Sequence, residues 1–150
     1  MTKILFVCHG NICRSPMAEF LMKKLVSDLG IADKFYIESA ATSTEEIGNP
    51  VHYGTRQVLQ KYNIDFSKKR AVQITPDDYE KYDYIIGMDS YNIRNMKRIF
   101  GEDRDNKISL LLDYTNTPRD VADPWYTGDF RATEEDILNG CQALLKRLKY

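Results

Sequence analysis

Residues 8 to 15 read Cys-His-Gly-Asn-Ile-Cys-Arg-Ser, and a thiol, a guanidinium and a hydroxyl at this spacing could handle a phosphate. A loop of this kind between a strand and a helix turns backbone N–H groups and the positive helix end toward an anion. Gly10 lets the chain curl where a side chain would clash, and Asn11 tolerates a left-handed backbone. Arg14 adds a fixed fork of donors that matches two phosphate oxygens. Cys8 stands at the mouth of this nest, where the same field favours its thiolate. A thiolate facing a phosphate cradle is a nucleophile aimed at phosphorus. Cysteine, five residues and arginine is by itself a weak pattern. Its bland reading is a buried Cys8 ending a strand, with Arg14 on a solvated helix face. Ser15 and the strand–loop–helix context sharpen it.

Such a site lacks an acid, because arginine stays charged. The acid must come from another loop that reaches the same end of the sheet. The irregular segment from Asp113 to Asp129 offers Asp113, Asp120, Asp123 and Asp129. Residue types alone do not choose among them, although Pro124 limits the backbone of Asp123.

The chain has 150 residues, which is one domain's worth, and a formal net charge of −1. That balance argues against a protein whose main task is non-specific nucleic-acid binding. No apolar run approaches the length of a membrane span, and the apolar start is too short for a signal-peptide core. The expected compartment is the cytoplasm. Three cysteines, Cys8, Cys13 and Cys141, are an odd number, which argues against a disulfide framework. A zinc site would need a second ligand pair that the chain lacks.

Elements to hold the loop follow from the patterning. Lys3 to Val7 is an apolar run read as a buried strand, and Ser15 to Leu29 is a helix with apolar residues at helical spacing. Phe35 to Ala40 is a second strand, Ala41 to Gly54 a polar loop and Thr55 to Tyr62 a helix. Ala71 to Ile74 reads as a short strand, and Thr75 as the cap of a helix rich in acids. Tyr82 to Met88 is a strand, Asp89 caps a helix to about Phe100, and Ile108 to Leu112 is the last strand. Thr133 caps a final helix whose apolar stripe includes Cys141. Alternating strands and helices give an α/β fold. A single domain with a mainly parallel sheet and helices on both faces is expected. Ligands then bind at the carboxyl ends of the strands, where the Cys8 loop and the Asp113–Asp129 segment meet.

The loop CHGNICRSP, from Cys8 to Pro16, resembles the signature of the low-molecular-weight protein tyrosine phosphatases. Glu38 to Pro50 resembles that family's loop beside the active site. Met88-Asp89 with Asn92 resembles its MDxxN stretch, and Asp123-Pro124-Trp125-Tyr126 its DP-aromatic-aromatic motif. The resemblance implies a central, mainly parallel four-stranded sheet in the flavodoxin-like order 2-1-3-4, and hydrolysis of phosphotyrosine through a phosphocysteine on Cys8. Arg14 and the loop N–H groups would hold the phosphate, and Asp123 would be the acid and then the base. The substrate-binding set it implies is His9, Gly10, Asn11, Ile12, Cys13, Ser15, Glu45, Trp125 and Tyr126. Ser15 would ease departure of the thiolate, and Ser39 would join Asn11 in pinning the loop. Cys13 would be able to form a reversible disulfide with Cys8. Trp125 and Tyr126 would wall the cleft. No metal or cofactor is implied. The expected partners are phosphotyrosine proteins and a phosphate-like oxyanion in the loop, with no nucleic acid or membrane, for a monomer.

The sequence departs from the family pattern in places. Lys68-Lys69-Arg70 stands where relatives often place a histidine of the loop network, and reads as a solvated edge. Glu45, with Glu46 beside it, stands where many relatives carry an aromatic. An acidic rim should disfavour acidic peptides and tolerate basic ones. His9 is read as a loop residue whose backbone matters more than its ring, and His52 has no evident partner. An arginine phosphatase of the same fold is the alternative, although such relatives carry Thr where this chain has Ile12. Arsenate reduction is a weaker one, because residues 63–100 hold no relay cysteine. A phosphopeptide-binding module would keep the cradle and lose the nucleophile or the acid, and Cys8, Arg14 and Asp123 are all present.

Overall fold

The computed structural model describes all 150 residues, Met1 to Tyr150. Four parallel strands form one sheet in the order β2-β1-β3-β4, as expected: β1 is Thr2–Cys8, β2 Phe35–Ala41, β3 Tyr84–Gly87 and β4 Ile108–Leu110. The helices are α1 (Arg14–Asp28), α2 (Tyr53–Gln60), α3 (Asp78–Lys81), α4 (Ser90–Phe100), α5 (Pro124–Thr127) and α6 (Phe130–Arg147).

Strand β1 is apolar on both faces because it is covered on both. Ile4, Phe6 and Cys8 point into one core with Met17, Leu21 and Met22 of α1 and Ile137, Cys141 and Leu144 of α6. Leu5 and Val7 point into the other with Tyr79, Tyr82 and Met96. Period-two alternation therefore carries Cys8 out of the strand on the α1 face, directly toward the helix N-terminus. Cys141 is fully buried, as its place on the stripe implies.

Four local readings need correction. Ala71 to Ile74 is not a strand; this stretch makes an isolated bridge to Ala41 through Ala41 N to Val72 O and Ile74 N to Ala41 O. It also gives the Val72 N–H to Asn11, so its bonds are shared between the β2 edge and the loop. Thr75 does not cap α3; its backbone N–H donates to Asp78. Thr133 lies inside α6, and Asp129 caps that helix by accepting from Ala132 N at 2.9 Å. Thr133 turns its hydroxyl back to Asp129 O, a bond available only to a residue already in the helix. The run Lys68-Lys69-Arg70 is not uniformly solvated: the Lys69 side chain is only 10% exposed.

Candidate active site

The loop after β1 is built by tying its carbonyl groups outward. Cys8 O accepts from Thr42 N, His9 O from Ser43 N and Ser43 Oγ, Ile12 O from His52 N, and Cys13 O from Thr55 Oγ1 and Met17 N. These four carbonyls are committed to surrounding elements, while the N–H groups of Gly10, Ile12, Cys13 and Arg14 donate to no protein acceptor. They sit at the N-terminus of α1, whose first-turn donors have no intrahelical partner. Together they form the concave donor array that an oxyanion requires.

Asn11 is the one loop residue with positive φ, at 59°. Its side chain holds that conformation from three directions. Nδ2 donates to Ser15 Oγ at 2.8 Å and Ser39 Oγ at 3.0 Å, and Oδ1 accepts from Val72 N at 3.2 Å. Ser39 Oγ in turn donates to Glu19 Oε1 at 2.6 Å. Glu19 is 2% exposed and lies 3.3 Å from Lys69 Nζ, which also donates to Ser39 O at 2.8 Å. Lys23 reaches the other Glu19 oxygen at 2.6 Å from the solvent side. Lys69, from a stretch that read as a solvated edge, is thus part of the network behind the loop. Its long stem reaches the buried carboxylate from the edge of β2.

Cys8 is 3% exposed. Its sulfur lies 3.0 Å from Ser15 Oγ and 3.3 Å from Asn11 N. Ser15 is inside α1 and does not cap it, so its hydroxyl is available to the thiol. Cys13 starts α1 without a side-chain cap bond. Burial pushes its thiol up to about 12, with nearby Cys8 and Asp123 adding to the rise. Burial alone pushes Cys141 to about 12. All three cysteines are free thiols.

Arg14 is almost completely enclosed. Nη1 donates to Asp89 Oδ2 at 2.7 Å and to Val121 O at 2.8 Å, and Nη2 to Asp123 Oδ2 at 3.3 Å. Burial works against its charge, but Cys8, Asp123 and Asp89 more than offset that, and the guanidinium is held above its ordinary value. The MDxxN stretch explains how Asp89 is aimed. Asp89 Oδ1 caps α4 by accepting from Asn92 N, while Asn92 Oδ1 accepts from Met88 N and Asp89 N. This reciprocal capping box leaves Oδ2 of Asp89 for Arg14.

Asp123 comes from the long segment after β4, docked by Val121 N to Met88 O at 2.8 Å. It caps the single turn α5 through Trp125 N at 3.0 Å, which turns its other oxygen toward Arg14. Asp120 instead binds Ser90 on α4, Asp129 caps α6, and Asp113 binds Leu110 N. Of the four aspartates, Asp123 is the one that lines the cavity.

That cavity has a volume of about 110 Å³, with Cys8, Cys13 and Arg14 at its floor and His9, Gly10, Ile12, Glu45, Glu46 and Trp125 around them. Asn11 and Ser15 stand behind the loop. Tyr126 is 85% exposed and lies outside the lining. Successive side chains in a helical turn diverge by about 100°, so Trp125 and Tyr126 cannot both face the cavity. The His9 ring has a partner after all, with Nε2 at 2.8 Å from Glu45 Oε2. His52 has several. Its N–H ties Ile12 O, its Nδ1 accepts from Gly54 N, and its ring stacks on Phe130 and meets the edge of Trp125. Sequence reasoning missed Thr55, His52, Glu19 and Lys69, all of which act across large sequence separations.

Comparison with known proteins agrees with this architecture. Residues 3–150 match the family model described as low molecular weight phosphotyrosine protein phosphatase. The chain is 40% identical to the low molecular weight protein-tyrosine-phosphatase YfkJ of Bacillus subtilis, over 99% of this chain and 97% of that protein. The YfkJ crystal structure superposes with a TM-score of 0.95, covering 99% and 95% of the two chains. A low molecular weight protein tyrosine phosphatase from Streptococcus pyogenes is 48% identical with a TM-score of 0.86, covering 99% and 93%. A Drosophila arginine phosphatase is 30% identical with a TM-score of 0.87, covering 99% of both chains. The chain belongs to the low molecular weight phosphotyrosine protein phosphatase family.

Proposed function

We propose that this protein hydrolyses protein phosphotyrosine, and small aryl phosphates, in two steps through a phosphocysteine on Cys8. The observation that carries the reading is the convergence of Cys8 Sγ, the unpaired loop N–H groups, the Arg14 guanidinium and Asp123 on one small cavity. In the first step the Cys8 thiolate attacks phosphorus and the bond to the tyrosyl oxygen breaks. Asp123 gives its proton to that oxygen, so tyrosine leaves neutral. Arg14 and the loop N–H groups hold the three equatorial oxygens as charge redistributes. In the second step Asp123 takes a proton from water, the water oxygen bonds to phosphorus, and the S–P bond breaks. Ser15, 3.0 Å from the sulfur, stabilises the departing thiolate by donating to it. Asp89 positions Arg14, and Asn11 with Ser39 keeps the strained loop in place.

The cavity walls favour an aromatic phosphate. Trp125 offers a flat face, and Ile12 puts hydrocarbon where a hydroxyl would be needed to deliver water to a phosphoramidate. The Drosophila arginine phosphatase shares this fold, so the fold does not separate the two substrates. Parallel turnover assays with phosphotyrosine and phosphoarginine peptides do. The reading predicts that phosphotyrosine turnover exceeds phosphoarginine turnover at least about hundredfold, as for a site shaped to one leaving group. The reverse order would overturn it.

A further inference from the structure

The rim of the cavity carries two carboxylates with no cationic lysine or arginine against them. Glu45 has a side chain 67% exposed, and its one side-chain partner is the His9 ring at 2.8 Å. Glu46 is held by a neutral amide, with Asn49 Nδ2 donating to its Oε2 at 2.5 Å. Glu46 lies tight against the loop: a Cβ added at Gly10 would come within 3.3 Å of its Cγ. The Glu46 carboxylate is thereby fixed near the mouth instead of sweeping through solvent. The only lysine or arginine lining the cavity is Arg14, 2% exposed at the floor. A bound phosphate would take up that charge.

We propose that Glu45 and Glu46 select phosphotyrosine flanked by lysine or arginine, and that Glu45 leaves His9 to meet the incoming cation. This rests on the phosphotyrosine reading and names the substrate class for it. A bound phosphate faces Arg14 and the loop N–H groups at the floor, so residues on either side of the phosphotyrosine meet the rim carboxylates. A basic neighbour gains an opposite charge there, and an acidic neighbour meets two like charges. The His9 contact orients Glu45 across the entrance and gives it a place to return to.

The test compares two phosphotyrosine peptides of equal length, one with Lys and Arg flanks and one with Glu and Asp flanks. The readout is the ratio of their kcat/KM values within each protein, so that any change common to both peptides cancels. Unaltered protein should favour the basic peptide by about tenfold at low ionic strength, the size expected of two exposed charges. The ratio should fall toward one in 0.5 M salt, a condition of strong screening (Debye length about 4–5 Å). The double charge reversal Glu45→Lys with Glu46→Lys should invert it. Both peptides turning over with a ratio near one, or with a ratio that salt and the reversal leave unchanged, would overturn the rim assignment alone. Turnover of neither phosphotyrosine peptide would contradict the phosphotyrosine reading beneath it.

Discussion

One oxygen of Asp89 caps helix α4 while the other lies 2.7 Å from Arg14 Nη1. One side chain thus does two separable things, and two substitutions tell them apart. Asp89→Asn keeps a good capping group but removes the charge facing the guanidinium. It should lower kcat about ten- to hundredfold through misplacement of Arg14, with a thermal midpoint close to the unaltered protein's. Asp89→Ala should lose the activity and also about 1 kcal/mol of stability from the cap. Steady-state kinetics with paired denaturant curves check both.

Glu19 and Lys69 form a buried pair behind the loop, bonded on to Ser39 and Asn11. Lys69→Met would keep much of the packing and leave Glu19 with Lys23 as its one cation. Losing one of its two lysines leaves this buried carboxylate less well compensated, with Lys23 and the Ser39 hydroxyl still in contact, and a loss of about 1–3 kcal/mol is expected in urea unfolding. The positive φ of Asn11 depends on the same network, so kcat should fall as well. Lys69→Arg should restore most of both. Unchanged stability in Lys69→Met would show that the pair is not part of the loop's support.

Cys13 and Cys141 are both pushed to about 12, so at pH 7 each is a neutral thiol. A raised value means that the thiolate appears only as pH climbs toward it. Brief alkylation with iodoacetamide at pH 7, followed by peptide mass mapping, should therefore label Cys8 and spare the other two. Inorganic phosphate should protect Cys8. Comparable labelling of Cys13 at that pH would contradict the burial argument.

Asp123→Ala removes the proton donor and leaves the phosphate cradle. Phosphotyrosine release should slow by about 10²–10⁴-fold. An aryl phosphate with an activated phenol needs no protonation on leaving, so its first step should slow far less. Equal losses on the two substrates would remove Asp123 from the acid's role.

Much of this was legible from local pattern, because local physics set it. Strand β1, its loop and α1 follow from an apolar run, a glycine and a helix start, whereas the four-stranded order is set by long-range packing and was implied only by the family resemblance. Asp89 was read as a cap, but nothing in the linear chain said that its second oxygen would meet Arg14, 75 residues away. Lys69 read as solvated because basic runs usually are. Its burial depends on Glu19, which sits on a different element and gave no signal of its own. Thr133 misled because a serine or threonine before acidic residues is a good cap motif, while Asp129, four residues earlier, is the residue whose carboxylate accepts from the free Ala132 N–H. His9 and His52 had no readable partners, since theirs come from the Glu45 loop and from Trp125 and Phe130.

The central claim is that the phosphoryl group passes through the Cys8 sulfur. Its most direct test is rapid acid quench of the enzyme during turnover of an aryl phosphate, followed by peptide mass spectrometry. Asp123→Ala is the useful background, because hydrolysis of the intermediate also needs that residue and the phosphoenzyme should accumulate. The account predicts one phosphoryl group on the peptide containing Cys8, formed at the rate of the phenol burst and absent in Cys8→Ser. Phosphate released without any phosphoenzyme, or a phosphoryl group on a residue other than Cys8, would contradict it.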